Sequence, residues 1–292
     1  MNYVCTHKKR VKIKPIGTPS RSISVVDCDC GKCRACRLKR RNQWATRLAL
    51  QWKDTPNALW CLFTYNNEHI PAFNRLGKER MSAFIKRLRR WFEYHWNWKG
   101  IKFFCSGEYG TINNRPHFHV ILFNLPICNK NKICLSIKYQ LELLWKQGYV
   151  KVKKLETINQ VYYCAKYAVK GLSEHEDVEP CILFSKGLGK DFVKKNLAYF
   201  KEQVSNVLDP KSPKVNVDGK VFFLDSVKMY KKLIYTDEQL KSKLYDYLLS
   251  VSKDITSYGV MEKDMQKYEW SKHAEKLVNQ GITKYKELER RK

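Results

Sequence analysis

The 292-residue chain holds 56 Lys and Arg against 28 Asp and Glu, a formal net charge of +28, with 43% apolar residues. That suffices for one large domain, or one domain with appendages, and so large a basic excess points to a polyanion, nucleic acid before membrane. No apolar run is long enough to span a bilayer and no secretory signal opens the sequence, so a membrane role is set aside and the protein is expected to act where it is made.

Residues 1–55 read as a basic, cysteine-rich segment that ends in a helix. Eleven cysteines, an odd number with no secretory signal, argue for reduced or metal-bound thiols rather than a disulfide framework. Cys30, Cys33 and Cys36 stand at C-x2-C-x2-C spacing, with Gly31 permitting a tight turn. This suits a structural Zn²⁺ knuckle, which needs a fourth ligand. Cys5, His7 and Cys28 are the candidates; Cys5 is favoured because the N-terminal tail has little else to pin it. Reduced cysteines packed as small hydrophobes are the alternative. From Arg37 the chain reads as a helix with Trp44, Ala45, Leu48 and Trp52 on one stripe. Arg37, Lys39, Arg40, Arg41 and Arg47 fall on its other face, a surface suited to tracking phosphates.

Residues 56–175 read as the core domain. Leu59–Thr64 is a buried strand, and Lys78–Trp96 is an amphipathic helix with Met81, Phe84, Ile85, Leu88, Trp91, Phe92 and His95 on its apolar stripe. Two apolar runs around the Gly/Asn-rich break at 107–114 form a hairpin over 101–123. A helix over 136–147, a strand over 149–155 and a helix over 158–171 follow. This β-α-β-β-α-β order predicts an α+β fold, a ferredoxin/RRM-like split β-α-β core with an antiparallel sheet. Right-handed crossovers put both helices on one sheet face in strand order 4-1-3-2, leaving the other face for DNA.

His117 and His119 are two apart on the second hairpin strand, so both imidazoles project from one face while Phe118 points into the core. If Tyr109 pairs with Pro116 or nearby, Glu108 lies opposite His117 or diagonal to His119. Two imidazoles and a carboxylate suit a divalent ion such as Mn²⁺ or Mg²⁺, with positions left for a phosphate oxygen. On the helix at 158–171, Tyr163 and Tyr167 are i,i+4 neighbours, with Lys166 and Lys170 on the same side. Tyr162 is rotated about 100° away.

Residues 176–292 read as a basic C-terminal region, helical toward its end. Phe184–Lys190 is glycine-rich and basic but lacks P-loop spacing, so it reads as a loop. Asp209–Lys220 holds turn residues, and from Thr236 the pattern is helical and polar to the basic tail at 290–292.

Three stretches stand in order: LFTYNNEHIP (62–71), GEYGTINNRPHFHVILF (107–123) and YCAKYAVK (163–170). Together they resemble the HUH endonucleases that initiate rolling-circle replication. More closely, they resemble the replication initiators of gokushoviruses, small single-stranded DNA phages of the microvirus family. The resemblance extends into CGKCRACRLKRRNQWATRL (30–48) and, more loosely, FSKGLGK (184–190). It implies an HUH core that nicks a viral origin, attaches to the DNA 5′ end and later religates. It further implies a host helicase and replication machinery as partners, in a bacterial host cytoplasm. Tyr65-Asn66-Asn67 stands where relatives commonly carry acidic residues, so no catalytic role is placed on that loop.

With a metal on the neighbouring sheet, a phenol is the expected nucleophile for a phosphotyrosine link, and the resemblance implies the same pair, Tyr163 and Tyr167. Lys166 is expected to aid attack and to protonate the leaving 3′ oxygen. Arg37, Arg40, Arg41, Arg47, Arg115 and Lys170 are the expected DNA contacts. Two other functions compete. A non-catalytic single-strand binder on an RRM-like sheet has no need of His117, His119, Glu108 and two tyrosines. An HUH transposase of the one-tyrosine kind has no need of the second tyrosine.

Overall fold

The structure, a computed structural model, describes residues 5, 7–13, 24–71, 76–110, 114–126, 133–169, 181–205, 212–240 and 243. The chain divides into two compact units: Met1–Asn196 with Lys214–Lys231, and Leu197–Pro213 with Lys232–Lys292.

In the first unit, β1 (Lys9–Ile13) and β2 (Ser24–Cys28) form an antiparallel hairpin ahead of α1 (Arg34–Asp54). The core follows as β3 (Ala58–Tyr65), α2 (Lys78–Trp96), β4 (Lys102–Tyr109), β5 (Pro116–Phe123), α3 (Ile133–Trp145), β6 (Gly148–Lys154), α4 (Ile158–Tyr167) and β7 (Cys181–Phe184). The five-stranded sheet runs β6-β3-β5-β4-β7, every pairing antiparallel. The expected 4-1-3-2 order is present with one more strand, β7, against β4. Cys181–Phe184 is too short and uniformly apolar to show alternation, which is why only the neighbouring glycines stood out in the sequence.

Strand alternation sends Phe63, Phe118, Val120, Leu122 and Cys105 to one face. There they join Met81, Phe84, Ile85, Leu88 and Phe92 of α2 and Ile137, Leu141 and Trp145 of α3 in one buried cluster. Burying each large side chain contributes roughly 1.5–3 kcal/mol. Trp145 sits at the hub, its ring 5.4 Å from Phe63 and 5.8 Å from Phe84. Arg87 ties α2 to the end of α3 through Leu144 O, and Arg89 reaches Ile101 O and Ser185 Oγ.

The opposite face is not left for DNA as expected. Phe104, Ile121 and Phe123 on it are fully buried, and so apolar a surface requires a cover. α1 supplies part of it: the Trp44 ring lies 4.9 Å from Phe104 and 4.8 Å from Phe184. α4 supplies the rest, its Val161, Cys164 and Ala165 buried. Ala45, Thr46, Leu48, Ala49, Leu50 and Gln51 are all buried, so the second half of α1 is enclosed on nearly every side and only its first half is a basic solvent face.

Beyond β7 come α5 (Lys190–Lys195) and the hairpin of β8 (Lys214–Val217) and β9 (Lys220–Phe223), where the sequence showed only turns. The glycine-rich segment packs closely rather than wrapping a ligand. A Cβ on Gly189 would lie 2.3 Å from Tyr230 Oη and 2.7 Å from Arg47 O, and its N–H donates to the buried Gln51. In the second unit, α6 (Leu197–Gln203) buries Phe200, and Gln239 donates to Val204 O. Tyr230, on α7 (Lys228–Ile234), donates to Leu188 O. The expected polar helix and basic tail from 244 onward lie outside the described residues.

Candidate active site

The β4–β5 register sets Glu108 opposite His117, Tyr109 opposite Pro116 and Ser106 opposite His119. All three site side chains therefore rise from one face. The Nε2 atoms of His117 and His119 each lie 2.9 Å from the same oxygen, Glu108 Oε1. The site is half closed: side-chain exposure is 17% for His117, 4% for His119 and 11% for Glu108. His117 Nδ1 sits 3.2 Å from Arg115 O. A carbonyl accepts only, so this contact requires a proton on Nδ1 and, in the neutral ring, leaves the Nε2 lone pair aimed at the carboxylate. Lone pair would then face lone pair unless a proton or a cation stands between them. Two nitrogens and one oxygen, all within 4.8 Å of one another, are a donor set that fits a divalent ion with open coordination positions.

α4 brings two phenols onto this trio. Thr157 and Gln160 close its N-terminus with a capping box, which fixes where the helix begins and hence which residues face the sheet. The Tyr167 ring stacks on His119, centroids 3.9 Å apart and planes 11° apart; Tyr163 meets His119 edge-on at 5.5 Å. Their hydroxyls are hydrogen-bonded at 2.7 Å. Tyr163 is 44% exposed, whereas burial, then the bond to Tyr163, then the Glu108 charge push the Tyr167 phenol well above its ordinary range. Lys166 is exposed in the last turn. Tyr162 faces elsewhere, stacked 5.8 Å from Phe222 with Lys220 Nζ 4.7 Å over its ring.

Sequence reasoning missed Trp60 and Ser106. Trp60 was read only as part of a buried strand; its ring lies 6.0 Å from His119 and 6.3 Å from Tyr163. Ser106 is fully buried beside His119, its Oγ without a partner among the described residues. Parity along each strand separates the faces, but only the observed register joins these positions to the histidines.

Two of the arginines expected to contact DNA are engaged with the protein instead. Arg115 donates to Tyr65 O at 2.7 Å and to Asn67 Oδ1 at 2.6 Å, clasping the loop after β3. Arg47 lies between the Trp44 and Phe184 rings, 4.4 and 4.9 Å from their centroids, and its guanidinium is held below its ordinary pKa by burial. A helix wheel set Arg47 on the basic face; the tertiary cover over the second half of α1 removes that face. Arg40 is exposed, Arg37 and Arg41 are half-buried, and Lys170 lies outside the described residues.

The cysteines gather at a second place. The sulfurs of Cys5, Cys30, Cys33 and Cys36 all lie within 4.8 Å of one another. Cys33 Sγ is 3.8 Å from Cys5 Sγ, and Cys30 Sγ is 3.9 Å from Cys36 Sγ. The N–H groups of Cys30 and Cys33 donate to the sulfurs of Cys5 and Cys30. His7 and Cys28, the other candidate fourth ligands, are exposed and outside the group.

With this geometry in hand, the chain was compared with known proteins. A family model for replication-associated proteins of the ORF2 type matches residues 58–172, which include the trio and both tyrosines. The Replication-associated protein ORF2 of Spiroplasma virus 4 is 31% identical over 235 residues, 74% of this chain and 68% of the relative. The chain belongs to this family of viral replication-associated proteins. The Replication-associated protein ORF4 of Chlamydia phage 1 is 28% identical over 251 residues, and the Replication-associated protein VP4 of Bdellovibrio phage phiMH2K is 28% identical over 182. The matches span 61% and 57% of those two relatives, less than two thirds of their length. No solved structure matches the replication protein significantly. Among the described residues no helix is long and apolar enough to cross a membrane.

Proposed function

We propose that this replication protein initiates rolling-circle replication by nicking one strand at a viral origin, remaining linked to the DNA 5′ end through a tyrosine, and later religating. The observation that carries this reading is the pair of phenol oxygens 2.7 Å apart, with Tyr167 lying flat on His119 of the Glu/His/His trio. Mg²⁺ or Mn²⁺ held by His117, His119 and Glu108 supplies polarisation of the scissile phosphate and offsets charge developing on its oxygens.

One phenol oxygen attacks phosphorus, forming the Tyr–O–P bond as the P–O3′ bond breaks. The number of phosphodiester bonds is conserved, so rejoining needs no nucleotide cofactor. The proton lost by Tyr163 has solvent beside it, and one lost by Tyr167 can pass through the Tyr163 oxygen. Lys166 protonates the departing 3′ oxygen. With one tyrosine carrying the 5′ end, the second can attack the regenerated origin and release a circle. Arg37, Arg40 and Arg41 track phosphates. The DNA origin, a host helicase and the host replication machinery are the partners, in the cytoplasm of a bacterial host. Cys5, Cys30, Cys33 and Cys36 hold one structural Zn²⁺, which ties the N-terminal arm to the first turn of α1.

The test is a single-stranded origin oligonucleotide incubated with the full chain and Mn²⁺. A covalent adduct on the fragment 3′ of the nick, with a released 3′-hydroxyl on the other, is expected. Binding without cleavage at every divalent ion tried would return the protein to the class of single-strand binders.

A further inference from the structure

On the face that carries the trio, the sheet is sealed in one direction and open in the other. Toward the far end of β5, Ile121 and Phe123 are fully buried. Across β3 the cover stops. Thr64 lies opposite His117 and Leu62 opposite His119, and both are half-buried. One strand further, on the edge, Tyr149 pairs with Thr64, Lys151 with Leu62 and Lys153 with Trp60. Directly paired residues share a face, so these three β6 side chains stand on the site's side of the sheet. Val150 is buried on the other side and Val152 packs against the same core cluster. Tyr149 is 69% exposed, and Lys151 and Lys153 are exposed.

We infer that β6 is a binding track for single-stranded DNA, with Tyr149 stacking one base and Lys151 and Lys153 holding phosphates on its way to the trio. This inference rests on the nicking function proposed above and extends it to the substrate's path. Neighbouring strands lie about 4.8 Å apart, so β6 is about 10 Å from β5, within the reach of a short run of nucleotides. An aromatic face with flanking cations is what an unpaired strand requires: a π-surface for a base that has lost its neighbour, and charge for the backbone. Lysines on an edge strand also deter strand-to-strand association. That role does not account for Tyr149, because a large exposed aromatic on an edge favours association instead. Nor does core packing account for it, because the side chain lies outside the cluster.

The test uses a labelled single-stranded origin oligonucleotide with the full chain, comparing Tyr149→Ala, Tyr149→Phe and the Lys151→Ala/Lys153→Ala double variant. Removing the ring should weaken binding roughly 5- to 100-fold, and Tyr149→Phe, which keeps the stacking surface, should bind like the parent. Removing both lysines should lower the slope of log affinity against log salt by about 1.4, at ~0.7 per phosphate contact for a single strand. KM for nicking should rise in both while kcat at saturating DNA is kept. All three positions are exposed, so the melting temperature should not move. Affinity within twofold of the parent for Tyr149→Ala, with an unchanged salt slope for the lysine variant, would overturn the track. So would an equal loss in Tyr149→Phe. Affinity and salt slope do not depend on cleavage. A parent protein that bound the oligonucleotide but never nicked it would defeat the proposed function and leave the track to be judged on binding alone.

Discussion

The cysteine cluster makes a prediction whose size follows from geometry. A Zn–S bond is about 2.3 Å, so the edge of a regular ZnS4 tetrahedron is about 3.8 Å. The Cys5–Cys33 and Cys30–Cys36 sulfur pairs share no atom, so they are opposite edges of such a figure, and they measure 3.8 and 3.9 Å. A disulfide requires about 2.05 Å, so neither pair is one. Full-length protein purified without chelator should carry about one Zn per chain. The ion should survive dialysis against EDTA, because structural zinc binds with roughly 10–16 kcal/mol of apparent free energy. Cys36→Ser, at a buried corner, and Cys5→Ser, on the arm, should each lose it. A thiol reagent gives an internal standard: exposed Cys28 should react at once in the parent, while the four clustered thiols react only after a mercurial releases the metal. Zinc-free protein whose clustered thiols react as fast as Cys28 would show the reasoning to be wrong.

Three further outcomes are expected. Glu108→Gln removes the one formal charge between two imidazoles. A unit-charge pair at 4 Å is worth about 4 kcal/mol at an effective dielectric of 20, part of which is returned as ion hydration, so Mn²⁺ affinity should fall about 100-fold by calorimetry; a change under threefold would remove Glu108 from the ligand set. Tyr163→Phe and Tyr167→Phe should each still form a covalent adduct on a labelled oligonucleotide and the double variant none, with Tyr162→Phe unaffected; adduct persisting in the double variant would displace both assignments. A Cβ at Gly148 would lie 2.4 Å from both Thr64 O and Asn66 N, neither of which can yield without opening the β3–β6 pairing. Gly148→Ala should therefore cost about 1–3 kcal/mol, read as a lower urea midpoint; an unchanged midpoint would mean the strands are not joined in this register.

Whatever depends on neighbours within a few residues was legible in the chain itself. The two-residue period of a strand put His117 and His119 on one side and Phe118 on the other. The helical period put Tyr163 and Tyr167 on one face and set Tyr162 apart, and C-x2-C-x2-C spacing marked the knuckle. The order of elements even anticipated the sheet, because short connections and right-handed crossovers leave few ways to join them. What local periods cannot carry is the choice of distant partners. The β4–β5 register, fixed by pairing across a hairpin, put one Glu108 oxygen within reach of both rings. Cys5 is separated from Cys30 by 25 residues, and only the folded N-terminal segment chose it over His7 and Cys28. Arg47 and Arg115 look like phosphate contacts on a wheel or in a motif, yet packing placed one between aromatic rings and turned the other onto backbone and amide oxygens. The second sheet face, open in a two-layer reading, is closed because Phe104, Ile121 and Phe123 cannot face water, and the cover that α1 and α4 provide stops short of the histidines and of β6.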